Sequence, residues 1–456
     1  MSNSLHSELI AAVATAPGHG GVGIVRISGQ GARAVGEAVC GKKLQPRVAR
    51  ACSFSDNGEV IDQGIAVLFA DGASFTGEEI VELQGHGGPV VMQRLLDCVC
   101  AHGARIAYPG EFSERAFLNG KIDLAQAEAI ADLIAANSNT AARAAMRSLQ
   151  GDFSKRVNEL EAELSSLRVL VEACIDFPEE EVEFLEKSQV QQRTDHLIDR
   201  LTLLKRTCTQ GALLTQGAAV ALIGHPNAGK SSLLNALSGM DTAIVTDIPG
   251  TTRDLLNVDL VLDGLAVRLV DTAGLRQTID PIEQIGVERA RSQAQNADLV
   301  VLIVDGSDLS LKNDAQGVKS ATSALLSGIE HSGKVLVAIN KVDLLTGTMP
   351  VHDELPYCQI SAKTGAGLAE LKSAITRALG FNEQEATFTA RARHIEAIDC
   401  AYRALQTASG AMLDLAGIEI VAEELRVAHL ALGEIVGTVT PDDLLGRIFS
   451  EFCIGK

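Results

Sequence analysis

No apolar run in this chain approaches the ~20 residues that a membrane-spanning helix needs, which excludes the integral-membrane classes built on helices. Basic residues are missing from its start. No Lys or Arg precedes Arg26, so residues 9–16 lack the basic flank of a secretory signal. The nine cysteines show neither C-x-x-C spacing nor clustering with histidine, which argues against zinc and disulfides and predicts reduced thiols in the cytoplasm. Cys98 and Cys100 stand too close together to chelate by themselves and read as helix packing. Positive charge is also in deficit: 39 Lys and Arg face 58 Asp and Glu, a net charge of −19. That balance argues against a protein coated in nucleic acid. Residues 1–50 depart from it, with Arg26, Arg33, Lys42, Lys43, Arg47 and Arg50 against Glu8 and Glu37. Such a patch can contact phosphate or be a solvated surface, and the sequence leaves both open.

What is present is a soluble globular composition, 46% hydrophobic and 21% charged over 456 residues. That length exceeds a single core and suggests about two to four domains. The most informative segment is Gly224-His225-Pro226-Asn227-Ala228-Gly229-Lys230-Ser231, a complete G-x-x-x-x-G-K-[ST]. An apolar run over 218–223 precedes it and reads as a buried strand; residues 232–237 read as the first turns of a helix. In that context the loop amides and the helix N-terminus cradle phosphate oxygens. Asn227, Ala228, Gly229, Lys230, Ser231 and Ser232 are therefore candidate phosphate contacts. Lys230 is expected to reach the β/γ-phosphates and Ser231 to ligate Mg²⁺.

Two later segments choose the base. Asn340-Lys341-Val342-Asp343 follows the apolar run 335–339, and Ser361-Ala362-Lys363 follows another short apolar stretch. A carboxylate at Asp343 can accept from N1–H and the 2-amino group of guanine, whereas adenine would leave it unpaired. Behind a P-loop, N-K-x-D followed by S-A-K reads as a GTP site.

The hydrolytic parts are expected between these motifs. Asp271-Thr272-Ala273-Gly274 ends an apolar strand, with Asp271 holding Mg²⁺ through water and the Gly274 amide sensing the γ-phosphate. The run Thr246-Asp247-Ile248-Pro249-Gly250-Thr251-Thr252 carries the switch hydroxyl, Thr252, for Mg²⁺. Leu275 stands where many GTPases keep a water-orienting glutamine, so another group must orient water. Glu283 is a candidate, and is equally placed to be an ordinary exposed glutamate.

Along the chain, residues 1–118 alternate short apolar runs with glycine clusters read as turns, Gly18-x-Gly20-Gly21-x-Gly23 and Gly85-His86-Gly87-Gly88, an α+β pattern. Residues 119–215 look helical: Val157, Leu160, Leu164, Leu167 and Val171 recur at 3-and-4 spacing, as a bundle core or a coiled-coil seam. The acidic run 179–181 after Pro178 reads as a helix start. Residues 216–378 make a nucleotide domain of α/β type, and 379–456 look helical again. The predicted architecture is multidomain α/β: an N-terminal α+β domain, then a discontinuous helical domain with a Ras-like P-loop domain inserted.

Taken together, these residues resemble the MnmE/TrmE tRNA-modification GTPases from end to end. The matching stretches are the runs 20–29, 75–79, 82–88, 109–113 and 118–129, the nucleotide motifs, and the terminal Cys453-Ile454-Gly455-Lys456. The resemblance implies an N-terminal folate-binding and dimerisation domain. It also implies a homodimer that joins a flavin-dependent partner, carrying FAD, in a heterotetramer. The implied chemistry adds a carboxymethylaminomethyl or aminomethyl group to C5 of the wobble uridine, position 34, of certain tRNAs. GTP hydrolysis and a tetrahydrofolate one-carbon unit serve that reaction. Carried over residue by residue, Arg26, Glu82, Lys121 and Lys456 match folate contacts, and Asn227, Thr246, Ile248 and Thr251 match a K⁺ site. Glu283 matches the water-orienting glutamate, and Cys453 a functional thiol. The competing class is a regulatory GTPase in ribosome assembly, but no KH-like segment with basic flanks follows residue 380.

Overall fold

The computed structural model describes residues 8–176, 183–225, 227–240, 257–271, 295–309, 322–323, 325, 334–345, 355–411, 418–439, 442–452 and 454–455. They divide into two compact units, one of residues 1–131, 153–165 and 426–456, the other of 132–152 and 166–425. This division cuts across the four segments expected from sequence.

The first unit is built on a six-stranded sheet in the order β3-β4-β5-β2-β1-β6. Its strands are β1 (Ile10–Val13), β2 (Gly20–Ser28), β3 (Arg50–Asp56), β4 (Glu59–Phe69), β5 (Ile80–Gly87) and β6 (Arg105–Ile106). Neighbours are antiparallel except β1 and β6. Helices α1 (Ala32–Cys40) and α2 (Pro89–Ala101) contribute Val35, Val39, Leu95 and Val99 to one core with Val25, Ile27, Val81 and Leu83 of the central strands. Alternation along β5 buries Val81 and Leu83 on that side, so Glu82 and Gln84 emerge on the other. Helix α3 (Glu111–Leu118) follows β6.

The two glycine clusters expected as turns are instead largely strand. Gly20, Gly21 and Gly23 lie in β2, and Gly85 and Gly87 in β5. The reason is close backbone approach: a Cβ at Gly23 would sit 2.9 Å from Gly87 Cα, and one at Gly87 only 2.7 Å from Val22 O. Two strands meet there at a distance that admits no side chain between them.

Helices α4 (Leu124–Ala135), α5 (Asn139–Leu149), α6 (Asp152–Asp176) and α7 (Glu183–Gln216) carry the chain to the second sheet. On α6, Val157, Leu160, Leu164, Leu167 and Val171 are all at most 2% exposed, as a 3-and-4 stripe requires. The acidic run 179–181 lies outside the described residues.

The second unit holds a sheet in the order β12-β11-β10-β7-β9-β8. Its strands are β7 (Ala218–Gly224), β8 (Asn257–Leu262), β9 (Leu265–Asp271), β10 (Leu299–Asp305), β11 (Lys334–Asn340) and β12 (Tyr357–Gln359). Only the β8–β9 pair is antiparallel. The central strands are near-continuous apolar runs, with Val220, Ala221, Ile223 and residues 299–303 at 0% exposure, as strands buried on both faces must be. Helix α8 (Lys230–Met240) follows β7, and α9 (Leu368–Leu379) follows β12. Helices α10 (Ala392–Ala411), α11 (Ile418–Val436) and α12 (Asp442–Ser450) complete the chain.

Candidate functional site

The parallel register gathers four strand ends on one edge. Gly224 pairs with Ile303, Leu222 with Asp271, and Asp305 with Asn340. Ligands of open parallel sheets bind at such carboxyl ends, where loops diverge.

The P-loop leaves β7 and enters α8. Asn227 and Gly229 both take left-handed backbone, φ 64 and 97. The first amides of α8, from Lys230 onward, have no intrahelical acceptors and face the loop with the positive end of the helix dipole. Lys230, 9% exposed, folds its ammonium back onto Gly224 O (2.8 Å) and His225 O (3.1 Å). This cradle of amides with a tethered cation fits a phosphate chain. A Cβ at Gly229 would lie 2.2 Å from Asn340 Nδ2, so the loop closes only with glycine there.

Asn340 ties the two halves of the site. Its Nδ2 donates to Ala228 O (2.8 Å) and its Oδ1 accepts from Ala362 N (3.0 Å). Ser361 Oγ donates to Asp343 Oδ1 at 2.6 Å, so S-A-K and N-K-x-D form one surface. Asp343 is exposed there, and Lys363 follows in the same loop. Lys341 has left-handed backbone (φ 65) and its ammonium binds Asp305. Burial works to raise the Asp305 pKa, but bonds from Lys341 and Ser307 outweigh it and hold the carboxyl below the usual range. The sequence reading missed Asp305, though an Asp-Gly ending the apolar run 299–304 was a readable sign of a strand end.

Of the other nucleotide candidates, Ala228, Ser231 and Ser232 lie at the loop and helix start, and Asp271 ends β9. Thr246, Asp247, Ile248, Pro249, Gly250, Thr251, Thr252, Thr272, Ala273, Gly274 and Glu283 lie outside the described residues. Among the described residues, no group of three His, Cys, Asp or Glu could hold a metal ion.

The first unit carries a second constellation. The β2–β5 register sets Arg26 opposite Glu82, and the guanidinium binds the carboxylate through Nε (3.0 Å) and Nη2 (2.9 Å). The same guanidinium lies 5.8 Å from the Phe75 ring and 5.7 Å from the Phe112 ring. Lys121 Nζ donates to Gly72 O at 2.5 Å, on the loop that bears Phe75. Beneath, Ser28 Oγ donates to Glu78 (2.7 Å), Arg115 binds Glu78 (3.0 Å) and Glu111 (2.9 Å), and Arg105 also binds Glu111 (2.7 Å). Burial pushes the Glu111 pKa up, but the bonds from Arg105, Tyr108 N and Arg115 prevail and lower it. Phe75, Phe112, Glu78 and Arg115 were not singled out from sequence, although all but Arg115 fall in the quoted runs 75–79 and 109–113. Lys456 and Cys453 lie outside the described residues. Their neighbour Gly455 has φ 95 and sits against β1, where a Cβ would meet Val13 O at 2.3 Å.

Comparison with known proteins decides between reaction classes. A family model described as the GTP-binding protein TrmE N-terminus matches residues 9–121, and one described as the MnmE helical domain matches 124–453. The tRNA modification GTPase MnmE of Coxiella burnetii (strain RSA 493 / Nine Mile phase I) is 49% identical over 452 residues, 98% of this chain and 99% of that protein. That of Pseudomonas paraeruginosa (strain DSM 24068 / PA7) is 50% identical over 455 residues, 99% of each chain. The chain belongs to the MnmE family of tRNA modification GTPases. It is a GTP hydrolase whose hydrolysis is coupled to tRNA modification. Among solved structures, the G domain of the T. maritima FeoB iron transporter aligns with 35% of this chain and 98% of its own, at 27% identity and TM-score 0.26. Among the described residues no helix is long and apolar enough to cross a membrane.

Proposed function

We propose that this chain, with a flavin-dependent partner protein, adds a carboxymethylaminomethyl or aminomethyl group to C5 of uridine 34 in certain tRNAs. A tetrahydrofolate derivative would supply the one-carbon unit when bound. The observation that carries this reading is Arg26, paired with Glu82 and with its guanidinium 5.8 Å from the Phe75 ring and 5.7 Å from the Phe112 ring. A planar cation flanked by aromatic rings suits a flat heteroaromatic ligand, and paired donors and acceptors beside it can fix the ring's orientation. Lys121, exposed on the adjoining loop, can meet a carboxylate tail. Gly455 sits on Val13, whose β-partner is Val25 next to Arg26; Lys456 as a folate contact and Cys453 as a functional thiol belong to the same proposal. A homodimer completing that site belongs to the same proposal.

At the nucleotide site, Lys230 and the α8 amides would hold the β/γ-phosphates, and Ser231 and Thr252 the Mg²⁺. Asp271 would act through water. With Leu275 unable to orient water, Glu283 would do so, and K⁺ bound by Asn227, Thr246, Ile248 and Thr251 would supply positive charge in place of an arginine finger. The same proposal has a four-part layout: a folate domain over 1–118, helical parts over 119–215 and 379–456, and the G domain over 216–378.

Two measurements test the reading. Calorimetry of the full-length protein with 5-formyltetrahydrofolate should show binding, and no heat at high micromolar ligand would remove the folate site. Mass analysis of the wobble uridine in tRNA from a deletion strain should show the side chain lost and restored by this chain. An unmodified uridine after complementation would defeat the proposed product.

A further inference from the structure

The hairpin β8–β9 joins the two nucleotide-responsive stretches of sequence. β8 begins shortly after Thr251-Thr252, and β9 ends on Asp271 at the head of Asp271-Thr272-Ala273-Gly274. Its turn is tight, with Asp263 at φ 49 and Gly264 at φ 88, the paired positive angles of a two-residue hairpin. The hairpin is therefore a short route from those stretches of sequence to this tip.

The tip is held by side chains of helical segments. Ser138 caps α5, accepting from Ala141 N at 3.1 Å, and the same hydroxyl donates to Gly264 O at 2.6 Å. Thr140 Oγ1 donates to Glu383 Oε1 (2.9 Å) and fills the space where a Gly264 Cβ would stand, 2.5 Å away. From the other side Thr376 Oγ1 donates to Asp263 Oδ2 at 3.3 Å. Leu262 and Leu265 share a buried cluster with Ala141 and Ala144 of α5. Beside this contact lies a cavity of about 170 Å³, lined among others by Asn137, Gly217, Asp259, Ala266 and Arg268. A hydroxyl that both starts a helix and grips the hairpin cannot keep both bonds if one element moves alone.

We propose that Ser138 is a positioning residue for coupled GTP hydrolysis: its hydroxyl ties the β8–β9 turn to the start of α5, so hairpin movement driven at the nucleotide reaches the helical segment. Ser138 touches no nucleotide in this role; it acts through Gly264.

Hydrogen exchange on the full wild-type chain tests this without any substitution. Amides in the first turns of α5 should exchange with rates that differ about fivefold or more between GDP and a non-hydrolysable GTP analogue. Identical exchange in the two states would overturn the proposal. Substitution separates cap from tether. Ser138→Asp keeps an acceptor for Ala141 N but cannot donate to Gly264 O, whereas Ser138→Thr keeps both. Ser138→Thr should behave as wild type. Ser138→Asp should hydrolyse GTP within about twofold of wild type yet modify about fivefold or more fewer tRNAs per GTP consumed. A wild-type ratio in Ser138→Asp would refute the tether, and if that variant does not fold, the exchange comparison decides alone.

Discussion

The side-chain amide of Asn340 occupies the place a Cβ of Gly229 would need, 2.2 Å from its ideal position, and holds Ala228 O at 2.8 Å. Phosphate loop and base-reading loop are thus one assembly. Asn340→Ala should loosen both, because it frees Ala228 O and Ala362 N together. Nucleotide affinity is expected to fall about 10- to 100-fold, or ~1.4–2.8 kcal/mol, in a fluorescent-GDP titration. An unchanged dissociation constant would show the two loops to be independent.

Base choice is expected to follow Asp343. Its Oδ1 is fixed by Ser361 at 2.6 Å, so the carboxylate is oriented before any base arrives. Asp343→Asn should weaken GTP and favour xanthosine triphosphate, since an amide can donate to a 2-oxo group. Competition between the two nucleotides measures this directly; continued preference for GTP would remove the guanine assignment.

Glu283→Ala should abolish most turnover while leaving nucleotide affinity intact, since orienting water matters mainly in the transition state. In the unsubstituted protein, hydrolysis should depend on K⁺, fall sharply in Na⁺ and follow dimerisation of the G domains. Equal steady-state rates in the two salts, without a dimer in the presence of a transition-state analogue, would contradict the mechanism.

Acid should weaken the first unit through Glu111. Its pKa is lowered on folding, so its contribution is present above the unfolded value and is lost as pH falls through the folded one. Glu111→Gln removes one charged partner from Arg115, 2% exposed, which keeps Glu78, and should cost ~2 kcal/mol at neutral pH on the scale of a hydrogen bond to a charged group. Melting temperatures of the two proteins should therefore converge as pH falls through and below the ordinary glutamate range. A gap that stays constant with pH would assign the effect to shape alone.

Calorimetry should also rank the N-terminal residues. Arg26→Ala removes the cation beside Phe75 and Phe112 and should weaken 5-formyltetrahydrofolate about tenfold or more, on the scale of a desolvated cation–π contact with its ion pair. Arg33→Ala, at the edge of the same unit and paired with Glu79, should bind as wild type. Equal losses in both variants would point to general charge.

The nucleotide site was readable in the sequence because each part is a contiguous run whose geometry is local. A strand, left-handed backbone at Asn227 and Gly229, and a helix start place Lys230 and Ser231 at the loop, and Asn340 ends its strand with Lys341 left-handed after it. The helical stripe on α6 was readable for a similar reason, since 3.6-residue periodicity survives without knowledge of the partner. Other features needed the folded chain. Arg26 meets Glu82 56 positions away because β2 and β5 pair in that register. Asp305 meets Lys341 across 36, and Ser138 meets Gly264 across 126. The glycines of β2 and β5 read as turns until their strands were seen to press together. Local propensity sets what a segment can become, whereas strand register and helix docking set which side chains touch. Those depend on burying many distant apolar groups at once, and only the tertiary structure records the outcome.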